Sequence, residues 1–160
     1  MVADMSYHTV ANVIESWELI RRMPNYEQRI GTALFQKLFA MEPESKVIFG
    51  FQKDMDPKSD LVVSSPRFVK HAQYFIQMID KALSLLGPDI DILTEILLEL
   101  GANHVRYGVK LEYYPSMGRA LIDSVEEALG DQFTTPIKND WVEVYGALSY
   151  DMIRAQKLSK

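Results

Sequence analysis

Hydrophobic positions recur along this chain at steps of three and four residues, and no stretch alternates long enough to mark a strand. Six stretches carry the helical period. The first runs from Ser6 to Met23, with Val10, Val13, Ile14 and Trp17 inward and Pro24 as its stop. Asn25 is placed to cap a second helix that continues to about Met41 on Ile30, Ala33, Leu34 and Leu38. Gly31 inside that helix costs about 1 kcal/mol against alanine at an exposed position, which is a reason to expect a second helix passing close by. The segment EPES, Glu42 to Ser45, reads as a short helical turn. The aromatic knot IFGF, Ile48 to Phe51, and the polar, turn-rich loop QKDMDPKSD come after it.

Ser65 followed by Pro66 is a helix start signal, a capping hydroxyl and then a ring in the first helical position. The third helix runs from there to about Leu86 and stops at Gly87, Pro88 and Asp89. A fourth, built on Leu93, Ile96, Leu97 and Leu100, closes at Gly108. A fifth begins at Pro115 within YYPSMGRALIDSVEEALG, and Thr135 with Pro136 opens a sixth that reaches about Lys157. The expectation is an all-α domain over residues 1–160, with six long helices plus short helical turns and no repeat or internal linker.

Two of these helices carry a histidine on the apolar stripe. His104 continues the series Leu93, Ile96, Leu97, Leu100, and His71 shares a side of its helix with Phe68, Phe75 and Met78. His8, near the start of the chain, is expected in solvent. A single histidine on such a face is commonly a core residue whose nitrogens find a carbonyl or a hydroxyl. Two unpaired imidazoles in one small core are expensive, and a partner shared between the helices removes that cost. Imidazole ligates iron, and the apolar disc of a haem needs aromatic cover of the kind that Phe35, Phe49, Phe51, Phe68 and Phe75 offer. Zinc fits less well, because no third ligand stands at a recognisable spacing.

Composition narrows the partners. The 160 residues carry 17 Lys and Arg against 22 Asp and Glu, a net charge of −5, with no basic run. Nucleic acid and anionic membrane surfaces are therefore not the expected partners. No apolar run approaches the roughly 20 residues needed to span a bilayer. The start, MVADMSYHTVANVIESWEL, includes Asp4 and Glu15 and lacks both a basic beginning and an unbroken apolar core, so no signal peptide is expected there. With no cysteine, disulfides, thiolate ligands and thioether-linked groups are excluded, and a cytoplasmic protein is the natural expectation.

Read in order, LFAMEPESKVIFGF, SSPRFVKHAQYF, LGANHVRYGVKL and DWVEVYGAL resemble the globin family, and within it the neuroglobin-like, hexacoordinate group. The likeness covers roughly Trp17 to Met152. It implies a globin fold around a pocket for haem b (iron protoporphyrin IX), with His104 the proximal ligand of the metal and His71 the distal histidine. By the same resemblance Phe49 wedges against the haem, Phe35 roofs the distal side and Phe75 lies one turn beyond His71. Leu100, Val109, Tyr114 and Tyr145 line the proximal side and haem edge. Two positions depart from the group. Tyr74 stands where a lysine usually reaches the haem propionate, and a phenol offers a weaker, neutral hydrogen bond. Phe75 replaces a smaller aliphatic residue and crowds the distal side. The lack of cysteine removes the loop disulfide of some members and argues against the related phycobiliproteins, whose bilin needs a thioether.

The resemblance implies reversible binding of dioxygen, carbon monoxide or nitric oxide, in the manner of oxygen transport or storage proteins. His71 either hydrogen-bonds the bound gas or itself coordinates the iron in the ligand-free state, which lowers gas affinity by the open fraction. The second regime is the expectation. Two other readings belong to different classes. One is a redox enzyme at the same iron, a nitric oxide dioxygenase or nitrite reductase, served by an external reductase because the chain has no flavin or nicotinamide module. The other is a haem-free interaction or sensor module. Tyrosines such as Tyr113 and Tyr150, expected to be exposed, leave monomer and homodimer both open.

Overall fold

The computed structural model describes residues 2–87 and 89–159, and among these every regular element is helical. A 3₁₀ turn at Val2–Asp4 leads into α1 (Tyr7–Arg21) and α2 (Tyr26–Met41). A 3₁₀ segment at Pro43–Phe49 follows, then α3 (Asp60–Val63), α4 (Pro66–Leu85), α5 (Ile90–Tyr107) and α6 (Tyr113–Leu129). A last 3₁₀ turn at Gly130–Gln132 precedes α7 (Thr135–Leu158). The six long helices are those the periodicity predicts. The single turn α3, inside the polar loop, is an addition, and the turn expected over Glu42–Ser45 continues through the aromatic Phe49.

Helix starts are legible where a side chain does the capping. Ser6 accepts from the backbone N–H of Thr9 at 3.1 Å, and Ser65 from that of Phe68 at 3.4 Å. Three boundaries differ from expectation. Asn25 occupies the capping position of α2 without a side-chain bond, because it takes the left-handed conformation (φ 55°) that asparagine tolerates. Thr134, not Thr135, precedes α7, which puts Pro136 second in the helix. Helix α6 begins at Tyr113, two residues before Pro115, whose missing N–H falls among the first-turn donors that have no helical partner anyway. Tyr113 is consequently buried, only 6% exposed, whereas Tyr150 is exposed. Helix α4 ends at Leu85, and Pro88 of the predicted stop lies outside the described residues.

The core runs through the inward faces of all six long helices. Trp17 and Trp141 meet at its base, ring centroids 5.9 Å apart, and Trp141 donates through Nε1 to Ser16 at 2.9 Å. Helix α4 is anchored by Asp80, whose two oxygens accept from Trp17 Nε1 at 2.5 Å and from the Tyr26 hydroxyl at 2.6 Å.

Two close helix approaches position the rest. A Cβ on Gly31 of α2 would stand 2.6 Å from the backbone oxygen of Ala72 in α4. A Cβ on Gly101 of α5 would run into the carbonyl of Met152 in α7. Ala72 adjoins His71 in sequence, and Gly101 lies three residues before His104. The loop before α3 is tied down by Lys46, buried at 4% exposure, which donates to the Met55 carbonyl at 2.7 Å. No helix among the described residues is long and apolar enough to cross a membrane.

Gly101→Ala is expected to destabilise the chain by about 2 kcal/mol or more, as overpacking does. For a chain of this length that lowers Tm by roughly 4–8 °C. Gly146, in α7 with nothing near a built Cβ, is the control: Gly146→Ala is expected to stabilise by about 0.5–1 kcal/mol. Urea unfolding of the two variants checks the opposite signs.

Candidate functional site

His104 sits in the last turn of α5, half-buried. Its Nδ1 lies 2.7 Å from the hydroxyl oxygen of Tyr114, near the start of α6. That hydroxyl donates to Oε1 of Gln156 on α7, also at 2.7 Å, and the Gln156 amide nitrogen donates to the carbonyl of Val109. Tyr145 donates its hydroxyl to the backbone carbonyl of Tyr114 at 2.6 Å, holding the start of α6 against α7. Leu100, half-buried, stands one turn before His104 on the same face. Tyr114 and Gln156 are buried at 6% and 2% exposure, and the bond between them is fully buried. Burial first, and then the like charge of His71, lowers the His104 pKa to about 4. Burial also raises that of Tyr114. Both side chains are therefore neutral at pH 7.

His71 differs from the expected inward residue. The face of α4 that is fully buried is Phe68, Ala72, Ile76 and Ile79, and His71 lies beside it, exposed as a residue. Its ring nevertheless meets Phe35 edge to face at 5.4 Å and Phe49 at 4.9 Å. Phe35 in turn meets Phe49 at 5.5 Å and Phe75 at 5.6 Å. Partial burial among these rings, followed by the positive charge of Arg67, lowers the His71 pKa. No hydrogen bond to its ring is found among the described residues.

The structure thus gathers Phe35, Phe49, His71 and Phe75 on one side, and His104, Val109, Tyr114 and Tyr145 on the other. Phe51 stands a layer back, against Phe39 and Phe68. Tyr74 is 51% exposed and lines a surface cavity of about 480 Å³ with Arg67, Lys70, His71 and Gln77. A larger cavity of about 530 Å³, between Phe39, Pro43, Lys46 and Pro57, has neither histidine in its lining. The chemistry lies with the imidazoles and not with that hollow. Gln156 is the functional residue that sequence reading misses: a glutamine near the end of an amphipathic helix reads as surface, and no local pattern points at Tyr114.

These side chains fit a haem. Nδ1 of His104 is engaged by Tyr114 while Nε2 has no protein partner among the described residues, the form in which imidazole binds a metal. The His71 imidazole, on α4, is rimmed by phenylalanine and has no hydrogen bond among the described residues. No cluster of three or more His, Cys, Asp or Glu among the described residues offers a cage for a bare ion.

Comparison with known proteins agrees with the geometry. The sequence matches the globin family over residues 32–152. Neuroglobin of Dissostichus mawsoni is 30% identical over 132 residues, covering 81% of this chain and 79% of that protein. The hexacoordinated haem protein of an anhydrobiotic tardigrade superposes with a TM-score of 0.84 at 21% identity, over 96% of both chains. The hexa-coordinate haemoglobin of Drosophila melanogaster does so with a TM-score of 0.79 at 20% identity, over 92% of this chain and 93% of that one.

The lowered pKa of His104 has a consequence for the haem-free chain. Between the folded value of about 4 and the unfolded value of about 6.5, the unfolded chain binds more protons. Stability is expected to fall as pH drops through that window, by about 3 kcal/mol from His104 alone at pH 4, with His71 acting in the same direction. Urea unfolding at pH 7 and pH 4 checks it, His104→Gln flattening the profile by that amount.

Proposed function

The chain belongs to the globin family, and from that premise we propose that it binds haem b between α4 and α5 and reversibly binds dioxygen, carbon monoxide and nitric oxide there. The observation that carries this reading is the state of His104: neutral and engaged through Nδ1 by Tyr114, with no partner for Nε2 among the described residues. When bound, haem would supply an iron able to coordinate a histidine of the protein and a small gas ligand.

Each residue then has a stated task. His104 holds the metal through Nε2. Phe49 and Phe35 press against the distal face and keep His71 in its edge-on orientation, while Phe75 narrows the space left for a ligand. Leu100, Val109 and Tyr145 cover the proximal side and the ring edge. Tyr74, exposed beside Arg67 and Lys70, is placed to donate a neutral hydrogen bond to a propionate, with those two cations supplying the charge.

His71 acts as an internal competitor that coordinates the iron in the ligand-free ferrous protein. Its lowered pKa keeps the lone pair available at neutral pH, and no hydrogen bond from the described residues restrains the ring. The hexacoordinate character of the tardigrade and Drosophila proteins supports the same regime. Affinity for an external gas is then reduced by the fraction of protein in which His71 is off the iron.

The ferrous, ligand-free protein is expected to show two sharp visible bands. His71→Leu is expected to replace them with one broad band and to raise carbon monoxide affinity on the order of tenfold or more. His104→Ala is expected to lose the pigment. A single broad band in the wild type would sink bis-histidyl coordination, and a His104→Ala variant of unchanged colour would sink the haem site as drawn.

A further inference from the structure

We propose that Gln156, which hydrogen-bonds neither histidine among the described residues, is a positioning residue that dictates which nitrogen of His104 carries the proton. The argument starts at the far end of the hydrogen-bond chain. The backbone carbonyl of Val109 can only accept, so the group of Gln156 that faces it is the amide nitrogen. That fixes the orientation of the amide, a choice that is otherwise ambiguous for glutamine. Oε1 is then turned to Tyr114, and being an acceptor only it takes the phenol proton at 2.7 Å. With its one proton committed, the Tyr114 oxygen can only accept from His104 at 2.7 Å. Nδ1 of His104 is therefore the protonated nitrogen, and in a neutral imidazole Nε2 is left bare.

The reverse polarity is closed off. It would set the Gln156 oxygen against the Val109 oxygen, two acceptors facing each other where Gln156 is 2% exposed. Glutamine suits the task because one side chain supplies a donor to one neighbour and an acceptor to the other. Its reach follows from the fold. Gln156 lies one turn after Met152, whose carbonyl abuts Gly101, so the crossing of α5 and α7 delivers it beneath His104.

The consequence joins the haem reading above and rests on it. An Nδ1–H held by a buried acceptor makes the imidazole a stronger electron donor through Nε2 and fixes the angle of the ring. The proton polarity itself is a property of the polypeptide and holds without any cofactor.

The test has two arms. In the haem-free, full-length protein, nitrogen-15 NMR of the imidazoles reports the tautomer of His104. The wild type is expected to be in the Nδ1–H form. Gln156→Met, which keeps the volume, frees the phenol to donate to Nδ1, and His104 is expected to move towards the Nε2–H form. Gln156→Glu, whose buried carboxyl in its protonated form donates to the Val109 carbonyl and keeps its other oxygen as acceptor for the phenol, is expected to restore Nδ1–H, a rescue that packing alone does not predict. In haem-loaded protein carrying His71→Leu, the iron–histidine stretching band of the ferrous state is expected at lower frequency in Tyr114→Phe and Gln156→Met than in their parent. An Nε2–H wild type overturns the proposal, even if the variants fail to fold. So does a Gln156→Met variant that leaves both the tautomer and the band unchanged. If the protein takes up no haem, the gas-binding reading falls, and the first arm still decides this one.

Discussion

The crossing of α5 and α7 at Gly101 is the constraint on which the site depends. No side chain separates the two backbones there, because the carbonyl of Met152 occupies the space a Cβ would need. Dispersion contacts between close-packed backbones then set the register of one helix on the other. One turn further along each helix stand His104 and Gln156, and the hydroxyl of Tyr114 fits between them. A larger residue at position 101 would separate the helices and lengthen both of those 2.7 Å hydrogen bonds. A second small-residue contact, Gly31 on Ala72, does similar work on the other side, bringing Phe35 within 5.4 Å of the His71 ring.

The two imidazoles end up in unlike surroundings, and the difference assigns their roles in the proposed site. His104 is half-buried and tied by a hydrogen-bond chain that crosses three helices, so its ring has one orientation. His71 is exposed, edge-on to two phenylalanines, and without a hydrogen bond among the described residues. A fixed donor on one side and a loosely held one on the other is what a permanent ligand and a displaceable competitor require. Both are kept neutral by desolvation.

Salt bridges at the surface join the segments around this centre. Glu44, in the 3₁₀ segment after α2, meets Lys110 at 2.7 Å, just past the end of α5, and Lys53 at 3.5 Å in the loop before α3. The Lys110 ammonium holds the Glu44 carboxyl below its usual range. These groups are exposed, and their contribution is registration of the corner more than stability. Arg67 adds a tether from α4, donating to the Ile48 carbonyl at 2.9 Å next to Phe49. The rings that frame His71 are thus carried by segments linked to one another and to α4, within the globin fold that the family match and the superpositions show.

Much of this was legible in the amino-acid order. Helical period, capping serines and prolines are local signals, so the six long helices and the placement of His71 and His104 beside apolar faces follow from residues within a turn or two of each other. The four quoted motifs were enough to mark the family. What stayed hidden is long-range. Tyr113 is buried and α6 starts early because of packing against neighbours that sequence spacing does not name. His71 faces the edge of its stripe and not the middle, a matter of how α4 is rotated by Asp80 and Ala72. The partner of Tyr114 lies 42 residues away on another helix, and only the approach of backbones at Gly101 selects it. Periodicity tells which face of a helix turns inward; where two such faces touch is decided by the side chains missing from both, which no single helix can reveal.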